Sequence, residues 1–264
     1  MTVRTTSQLF DLTGRTALVT GGSRGLGLQI AHALGEAGAK VMLSARKEGE
    51  LEEAVAELQA AGIDARWSAA DCAKEEDIRG LAEHTLERMG DVDILVNNAG
   101  AAWGSPAEDH PVEAWDKVMN LNVRGYFILS QHLAKKSMIP RRKGRIINVA
   151  SIAGLGGNPP DLPTLAYNTS KGAVITFTQA LACEWGKYGI NVNAICPGFF
   201  PSKMTQGTLD RIGEDKLAEN APLRRLGDDE DLKGITLLYA SDAGKHITGQ
   251  WLAVDGGVSV VTGG

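Results

Sequence analysis

The chain has 264 residues, 27 Lys plus Arg against 32 Asp plus Glu, a net charge of −5, 43% hydrophobic residues and three cysteines. That length fits one three-layer α/β domain around a single core, and the acidic balance, with no basic run longer than Arg141-Arg142-Lys143, speaks against nucleic acid or an anionic membrane as a partner. Cys72, Cys183 and Cys196 form no C-x-x-C pair and the N-terminal MTVRTTSQLFDLTGR has no apolar core, so the expected setting is reducing and cytoplasmic, with no membrane span.

Short β-rich apolar runs alternate with stretches of helical period. TALVT at 16–20 reads as a strand. A glycine turn follows, then a helix whose Leu26, Ile30, Ala33, Leu34 and Ala37 recur at helical spacing until Gly38 stops it. Further strands are expected at 41–45, 65–69, 94–97, 145–149, 192–195 and 251–254, with helices between most of them. Long helices are expected over 111–138 and 165–188. This alternation predicts an α/β fold of Rossmann type: a doubly wound parallel sheet with helices on both faces, in a single domain spanning 1–264. The runs ILV (94–96) and IINV (146–149) are apolar on both faces, as central strands should be. Two Gly/Pro-bearing stretches, 154–163 and 197–207, read as loops near one sheet edge.

The segment Thr20-Gly-Gly-Ser-Arg-Gly-Leu-Gly27 joins the first strand to the first helix. Its glycines permit close approach of a diphosphate, and the helix start offers free N–H donors and partial positive charge. Gly21, Ser23, Arg24, Gly25, Leu26 and Gly27 are therefore candidate dinucleotide contacts, although the glycine spacing departs from G-x-G-x-x-G. A carboxylate at the end of the second strand would select NAD, but here the strand ends Leu43-Ser44-Ala45-Arg46, with no acid between Lys40 and Lys47. Arg46 and Arg24 are placed to flank a 2′-phosphate and Ser44 to donate to it, so NADP(H) is expected over NAD(H). Asp71, with Cys72 beside it, follows the third strand either as an adenine-edge contact or as part of the cap of the next helix.

In Leu165-Ala-Tyr-Asn-Thr-Ser-Lys171, Tyr167 and Lys171 stand four apart, on one helical face. An ammonium near a phenol favours the phenolate, which would make Tyr167 a workable acid or base near neutral pH. Taken with the pieces around it, the chain resembles the classical short-chain dehydrogenases/reductases over nearly its whole length. The matching pieces occur in family order: Gly21 to Gly27, Asn97-Asn98-Ala99-Gly100, Asn122, Ser151, Tyr167 with Lys171, Asn191 to Asn193, and Pro197-Gly198. The resemblance implies that Tyr167 is the acid/base and that Ser151 bonds the substrate oxygen. It also implies that Lys171 anchors the nicotinamide ribose and tunes Tyr167, and that Asn122 holds a proton-relay water. Asn98, Ala99 and Gly100 are implied to pack against adenosine, and Pro197, Gly198 and Ser202 to lie at the nicotinamide.

Two departures from the family pattern stand out. Ser151 and Tyr167 stand sixteen positions apart, a few more than the family pattern, with 157–161 as the natural site of the extra ones, either bulging outward or shaping the pocket. Ser202 also stands where the family has a threonine, with Thr205 as a candidate substitute. Substrate choice is expected from the loops 101–111, 155–165 and 199–226, whose residues suggest an apolar or mixed pocket without an evident cationic clamp. The segment PGFFPSKMT resembles the matching loop of bacterial β-ketoacyl and related 3-oxo reductases. His110 reads as a solvent-facing loop residue, and the five scattered histidines give no metal-ligand spacing. The expected activity is hydride transfer between NADP(H) and a ketone or secondary alcohol, in a homotetramer or, next, a dimer. The alternatives are an NAD-dependent alcohol dehydrogenase and a catalytically silent nucleotide-binding regulator of the same fold.

Overall fold

The structure, a computed structural model, describes residues 3–261. Strands occur where the apolar runs place them: β1 (Thr16–Thr20), β2 (Lys40–Ala45), β3 (Ala65–Ala69), β4 (Ile94–Asn97), β5 (Gly144–Val149), β6 (Ile190–Pro197) and β7 (Trp251–Val254). All pair in parallel, in the order β3-β2-β1-β4-β5-β6-β7. The order reverses between β1 and β4, so a crevice opens beyond the carboxyl ends of those two strands.

Successive residues of each central strand point to opposite faces, which is why these runs carry no polar alternation. Val19, Leu43 and Val96 meet Ile30 and Leu34 of α2 (Gly25–Glu36) and Leu51 and Leu58 of α3 (Glu48–Ala60). Leu18, Leu95 and Ile146 meet Ile78 and Leu81 of α4 (Glu75–Met89) on the other face. Each such fully buried leucine or isoleucine contributes about 1.5–3 kcal/mol relative to an exposed one. Preceding the sheet, α1 (Thr6–Phe10) is closed by a capping box of Thr5 and Gln8.

The helix expected over 111–138 is instead a continuous helical path with two wide turns. Its parts are α5 (Val112–Met119), a π-type turn at Asn120–Arg124, α6 (Gly125–Leu133), a second π-type turn at Ala134–Met138 and α7 (Ile139–Arg141). Wide turns of this kind follow no simple residue pattern and concentrate at functional sites; the first contains Asn122. The second long helix, α8 (Leu165–Trp185), lies close to expectation. Segment 199–226, expected as loop, carries α9 (Gln206–Ile212) and α10 (Glu214–Glu219), and α11 (Lys233–Ala240) then packs against α2. At the opposite end of the sheet from the crevice, Asp242 gathers Arg4, Arg15 and Arg145 at 2.8, 2.7 and 3.4 Å.

Candidate active site

The glycine turn owes its shape to contacts that exclude side chains. Gly21 has φ +63°, and a Cβ there would lie 2.8 Å from Asn98 Nδ2; a Cβ on Gly27 would lie 2.2 Å from the Gly21 carbonyl oxygen. Asn98 braces the turn from beneath, donating through Nδ2 to the carbonyls of Thr20 (2.9 Å) and Gly21 (3.0 Å). Thr20 completes the joint, since its hydroxyl accepts from the amides of Asn98 (3.0 Å) and Ala99 (3.1 Å). Gly25, at φ +53°, differs: nothing lies closer to its would-be Cβ than Ser202 Cβ at 3.8 Å. The start of α2 and the Ser202 loop therefore lie against each other, a side chain at Gly25 coming into van der Waals contact with Ser202. Both hydroxyls of that loop are engaged within it: Ser202 Oγ and Thr205 Oγ1 share a hydrogen bond at 3.0 Å, and Thr205 Oγ1 also donates to the Phe200 carbonyl at 2.7 Å. Ser23 is partly buried in the turn, and Leu26 packs onto the core.

At the end of β2, Arg46 is exposed and has no ion-pair partner among the described residues. Arg24 reaches Glu50 at 2.6 Å. Ser44 corrects one expectation. It lies on the inward face with Met42, is fully buried, and its hydroxyl has no hydrogen-bond partner among the described residues. In this conformation it is sealed from the surface on which Arg24 and Arg46 stand. Asp71 serves its turn, accepting from the Ala73 amide at 3.1 Å, while its own amide donates to Asp77 at 3.0 Å. Cys72 is buried in the core, its thiol pushed up to about 12 by burial. Its carbonyl oxygen sits 2.3 Å from where a Gly125 Cβ would be.

Beyond the ends of β4 and β5 the reactive side chains converge. Ser151 caps the short turn Ile152–Gly154, accepting from the Ala153 amide at 3.1 Å, and its hydroxyl stands near the Tyr167 phenol. Gly154 makes this approach possible, since a Cβ there would lie 2.5 Å from the backbone of Lys171. Lys171 is 3% exposed; its Nζ donates to the Val149 carbonyl at 2.7 Å and lies 5.6 Å from the Tyr167 ring centroid. Burial lowers the ammonium from its ordinary 10.5 to about 8. Burial also pushes the Tyr167 phenol up, against the pull of the nearby Ser151 hydroxyl.

In the protein without its dinucleotide, that last direction runs against the expected phenolate. The ammonium lies over the ring face and bonds a carbonyl, so loss of solvent outweighs its pull on the phenol.

Asn122 is wholly buried. Its Oδ1 accepts from the Ala101 amide (2.8 Å), and its Nδ2 donates to the Ala101 carbonyl (2.9 Å) and to Ser170 Oγ (2.9 Å). Ser170 in turn donates to the Tyr167 carbonyl at 2.8 Å. Asn122 thus ties the start of the 101–111 loop to the turn of α8 that bears Tyr167. Gly100 lies between, with its would-be Cβ 3.3 Å from Asn122 Oδ1 and 3.7 Å from Lys171 Nζ. Pro197 ends β6, and Gly198 donates to the Val254 carbonyl at 2.9 Å and packs against Asp255. Thr20, Gly154, Ser170 and the Val149 carbonyl are site elements that no residue pattern singled out; only three-dimensional proximity marks them.

The substrate side is built from loops bonded to one another. Ser105 and Thr164 form a parallel bridge, with the Ser105 amide on the Pro163 carbonyl at 2.9 Å. Asn168, next to Tyr167, accepts from Thr164 Oγ1 at 2.7 Å and from Asn158 Nδ2 at 3.3 Å, and donates to the Gly156 carbonyl at 2.9 Å. Residues 159–161 are exposed, so the extra residues bulge outward over this clamp. His110 is not solvent-facing as expected: both ring nitrogens are buried and have no hydrogen-bond partner among the described residues. Arg225 is paired with Asp231, and Arg224 bonds the Glu219 carbonyl, so neither offers a free cationic clamp.

The side-chain-free turn at Gly25, the donor-rich start of α2 and the cationic side chains at the end of β2 suit the diphosphate and ribose-phosphate of a dinucleotide. Comparison with known proteins agrees with this geometry. A family model described as short chain dehydrogenase matches residues 15–212. The chain is 38% identical over 255 residues to a gluconate 5-dehydrogenase of Gluconobacter oxydans, covering 96% of this chain and 97% of that one. It is 40% identical over 256 residues to the rhamnolipids biosynthesis 3-oxoacyl-[acyl-carrier-protein] reductase of Pseudomonas aeruginosa, covering 94% and 97%. Among solved structures, a gluconate 5-dehydrogenase from Burkholderia cenocepacia J2315 in complex with NADP and tartrate superposes with a TM-score of 0.91 at 33% identity, covering 97% and 99%. A chain matched over this length, with these residues at the carboxyl ends of these strands, belongs to the short-chain dehydrogenase family of oxidoreductases.

Proposed function

We propose that the protein is an NADP(H)-dependent oxidoreductase, one nucleotide-binding domain acting on a ketone or secondary alcohol, with Tyr167 as the proton donor and acceptor. The observation that carries this reading is the convergence of Ser151, Tyr167 and Lys171 beyond the carboxyl ends of β4 and β5, on the same edge of the sheet as the glycine turn. When bound, the dinucleotide supplies or receives the hydride. The chain binds, orients and manages the proton. Ser151 and Tyr167 stand near one another and so present two hydroxyls to one substrate oxygen. Tyr167, kept neutral by burial, has its proton ready for a carbonyl oxygen that gains negative charge. Lys171, fixed to the Val149 carbonyl, holds positive charge beneath the ring.

Preference for NADP(H) is supported by the unpaired Arg46, by the lack of an acid at the end of β2 and by the NADP bound in the Burkholderia relative. Exposed apolar side chains on α5 and α6 (Val112, Phe127), α8 (Leu165) and β7 (Trp251, Leu252) support a homotetramer, with those surfaces covered by other copies. No described helix is long and apolar enough to cross a membrane, and the enzyme works in the cytoplasm. The deciding experiment is Tyr167→Phe assayed by nicotinamide absorbance against a panel of ketones and alcohols. Loss of a general acid predicts a fall in turnover of about 10²–10⁴, with NADPH affinity kept within a few-fold. A variant that turns over normally ends the proposal.

A further inference from the structure

We propose that Glu50 sets how strongly the enzyme discriminates NADP(H) from NAD(H), because its carboxylate stands as a like charge among the cations that would receive the 2′-phosphate. The inference rests on the function proposed above and concerns a residue outside both the glycine turn and the reactive cluster.

Glu50 lies in the first turn of α3 and uses its two oxygens on cations from two different elements. Oε2 accepts from Arg24 Nη1 at 2.6 Å, at the start of α2, and Oε1 accepts from Lys47 Nζ at 3.1 Å, just ahead of α3. A bridging carboxylate of this kind spans its donors much as two oxygens of a phosphate would. Helix-dipole stabilisation alone does not require the bridge, since Glu48 already supplies an acid to the same turn without pairing to any cation among the described residues. The hydrogen bond from Lys47, followed by the charge and bond of Arg24, holds the Glu50 carboxyl below its ordinary range, so the negative charge persists at any working pH.

Charge counting gives the direction of the effect. Arg24, Arg46 and Lys47 supply three positive charges around this corner, Glu48 and Glu50 supply two negative ones, and of these only Glu50 is paired directly to the cations among the described residues. A 2′-phosphate arrives with about −1.5 to −2 charges, needs the same donors and meets the carboxylate as a like charge. The unsubstituted ribose of NAD(H) feels neither effect. The pairs themselves yield readily, because Arg24 and Lys47 are 50% and 65% exposed and such pairs contribute little. The lasting influence of Glu50 is therefore repulsion of the phosphate rather than a barrier to parting the pair.

The test is direct cofactor binding by fluorescence titration of the intact enzyme, with NADPH and NADH as probes, in wild type, Glu50→Gln, Arg24→Ala and the double variant. Glu50→Gln keeps the shape and removes the charge. It should tighten NADPH about three- to tenfold at low salt, with the gain shrinking as salt screens it. NADH binding should stay within twofold, which also verifies the fold, and the gain for NADPH should shrink in the Arg24→Ala background. NADPH affinity left unchanged or weakened by Glu50→Gln overturns the proposal, as does equal tightening of both cofactors. Failure of the wild type to bind either cofactor instead overturns the functional reading on which the proposal rests.

Discussion

Lys171 carries a cost that can be measured apart from catalysis. Its ammonium is 3% exposed, has one hydrogen-bond acceptor, the Val149 carbonyl, and is lowered by burial from 10.5 to about 8. The shift of 10.5 − 8 = 2.5, at about 1.4 kcal/mol per pKa unit, amounts to about 3 kcal/mol of stability withheld from the cofactor-free protein while the amine is charged. The sign follows from proton counting. Between pH 8 and 10.5 the unfolded chain still binds a proton that the folded chain has released, so this residue's contribution to stability rises with pH across that window. Lys171→Met removes the titration while conserving most of the volume. Urea denaturation of the cofactor-free proteins at pH 7 and pH 10.5 should show wild type gaining about 3 kcal/mol relative to the variant, since other titrations cancel in the difference. At pH 7 the variant should be no less stable than wild type by more than about 1–3 kcal/mol, the cost of leaving the Val149 carbonyl without its partner, yet nearly inactive. A difference between the two proteins that stays constant over the window would show that the ammonium is not desolvated and would refute the reasoning.

Arg46→Asp places a carboxylate where a 2′-phosphate is received, and should lower kcat/KM for NADPH by at least about tenfold while sparing NADH; an unchanged cofactor ratio contradicts the assignment. Burial would raise the Asp242 carboxyl, but the hydrogen bonds of Arg4 and Arg15 and the nearby Arg145 bring it from 3.8 down to about 2. Its stabilising effect is thus complete above about pH 4 and is lost as pH falls toward 2. Asp242→Asn should cost about 2 kcal/mol in urea denaturation at pH 7 and flatten the acid limb between those values. Asn168→Ala frees the 156–164 loop from the helix turn bearing Tyr167. It should raise KM for the carbonyl substrate several-fold while leaving NADPH binding intact, and an unchanged KM would mean that the clamp does not shape the pocket.

The parallel sheet was legible because its strands are buried on both faces. ILV at 94–96 and IINV at 146–149 need no polar alternation once helices cover both sides, and such runs separated by helical periods admit few other arrangements. The glycine turn was legible for a related reason: Gly21 and Gly27 sit where any Cβ would strike backbone or Asn98. Other features were not legible because they depend on what lies across space. Nothing in NLNVR marks a π-type turn, and nothing in Ser44 says that its hydroxyl faces the core. Spacing put Lys171 beside Tyr167 correctly, but the protonation state of the phenol turned on burial, which a one-turn separation cannot report.

The geometry of the site is held by polar groups inside the sheet rather than by the loops alone. Asn97, at the end of β4, donates through Nδ2 to Asn148 Oδ1 on β5 at 2.9 Å and to Ser130 Oγ on α6 at 3.0 Å. Asn148 donates onward to Thr178 Oγ1 on α8 at 2.9 Å. This buried chain links the two strands whose ends carry the site to the helix that presents Tyr167 and Lys171. Apolar side chains of similar size would fill the same space, but they would not fix the register of α8 against β5 through directed bonds. Such bonds matter here because Ser151 comes from the end of β5 and Tyr167 from α8, so a slip of one element against the other would part the two hydroxyls that the proposed function directs to a single oxygen. The arrangement is not free of cost: Asn97 Oδ1 is buried without a hydrogen-bond partner among the described residues, a penalty of about 1–3 kcal/mol. Together with the desolvated ammonium of Lys171, it places two local costs beside the reactive cluster. A protein selected for stability alone would replace both, and costs of this kind are what a site held in shape for chemistry carries.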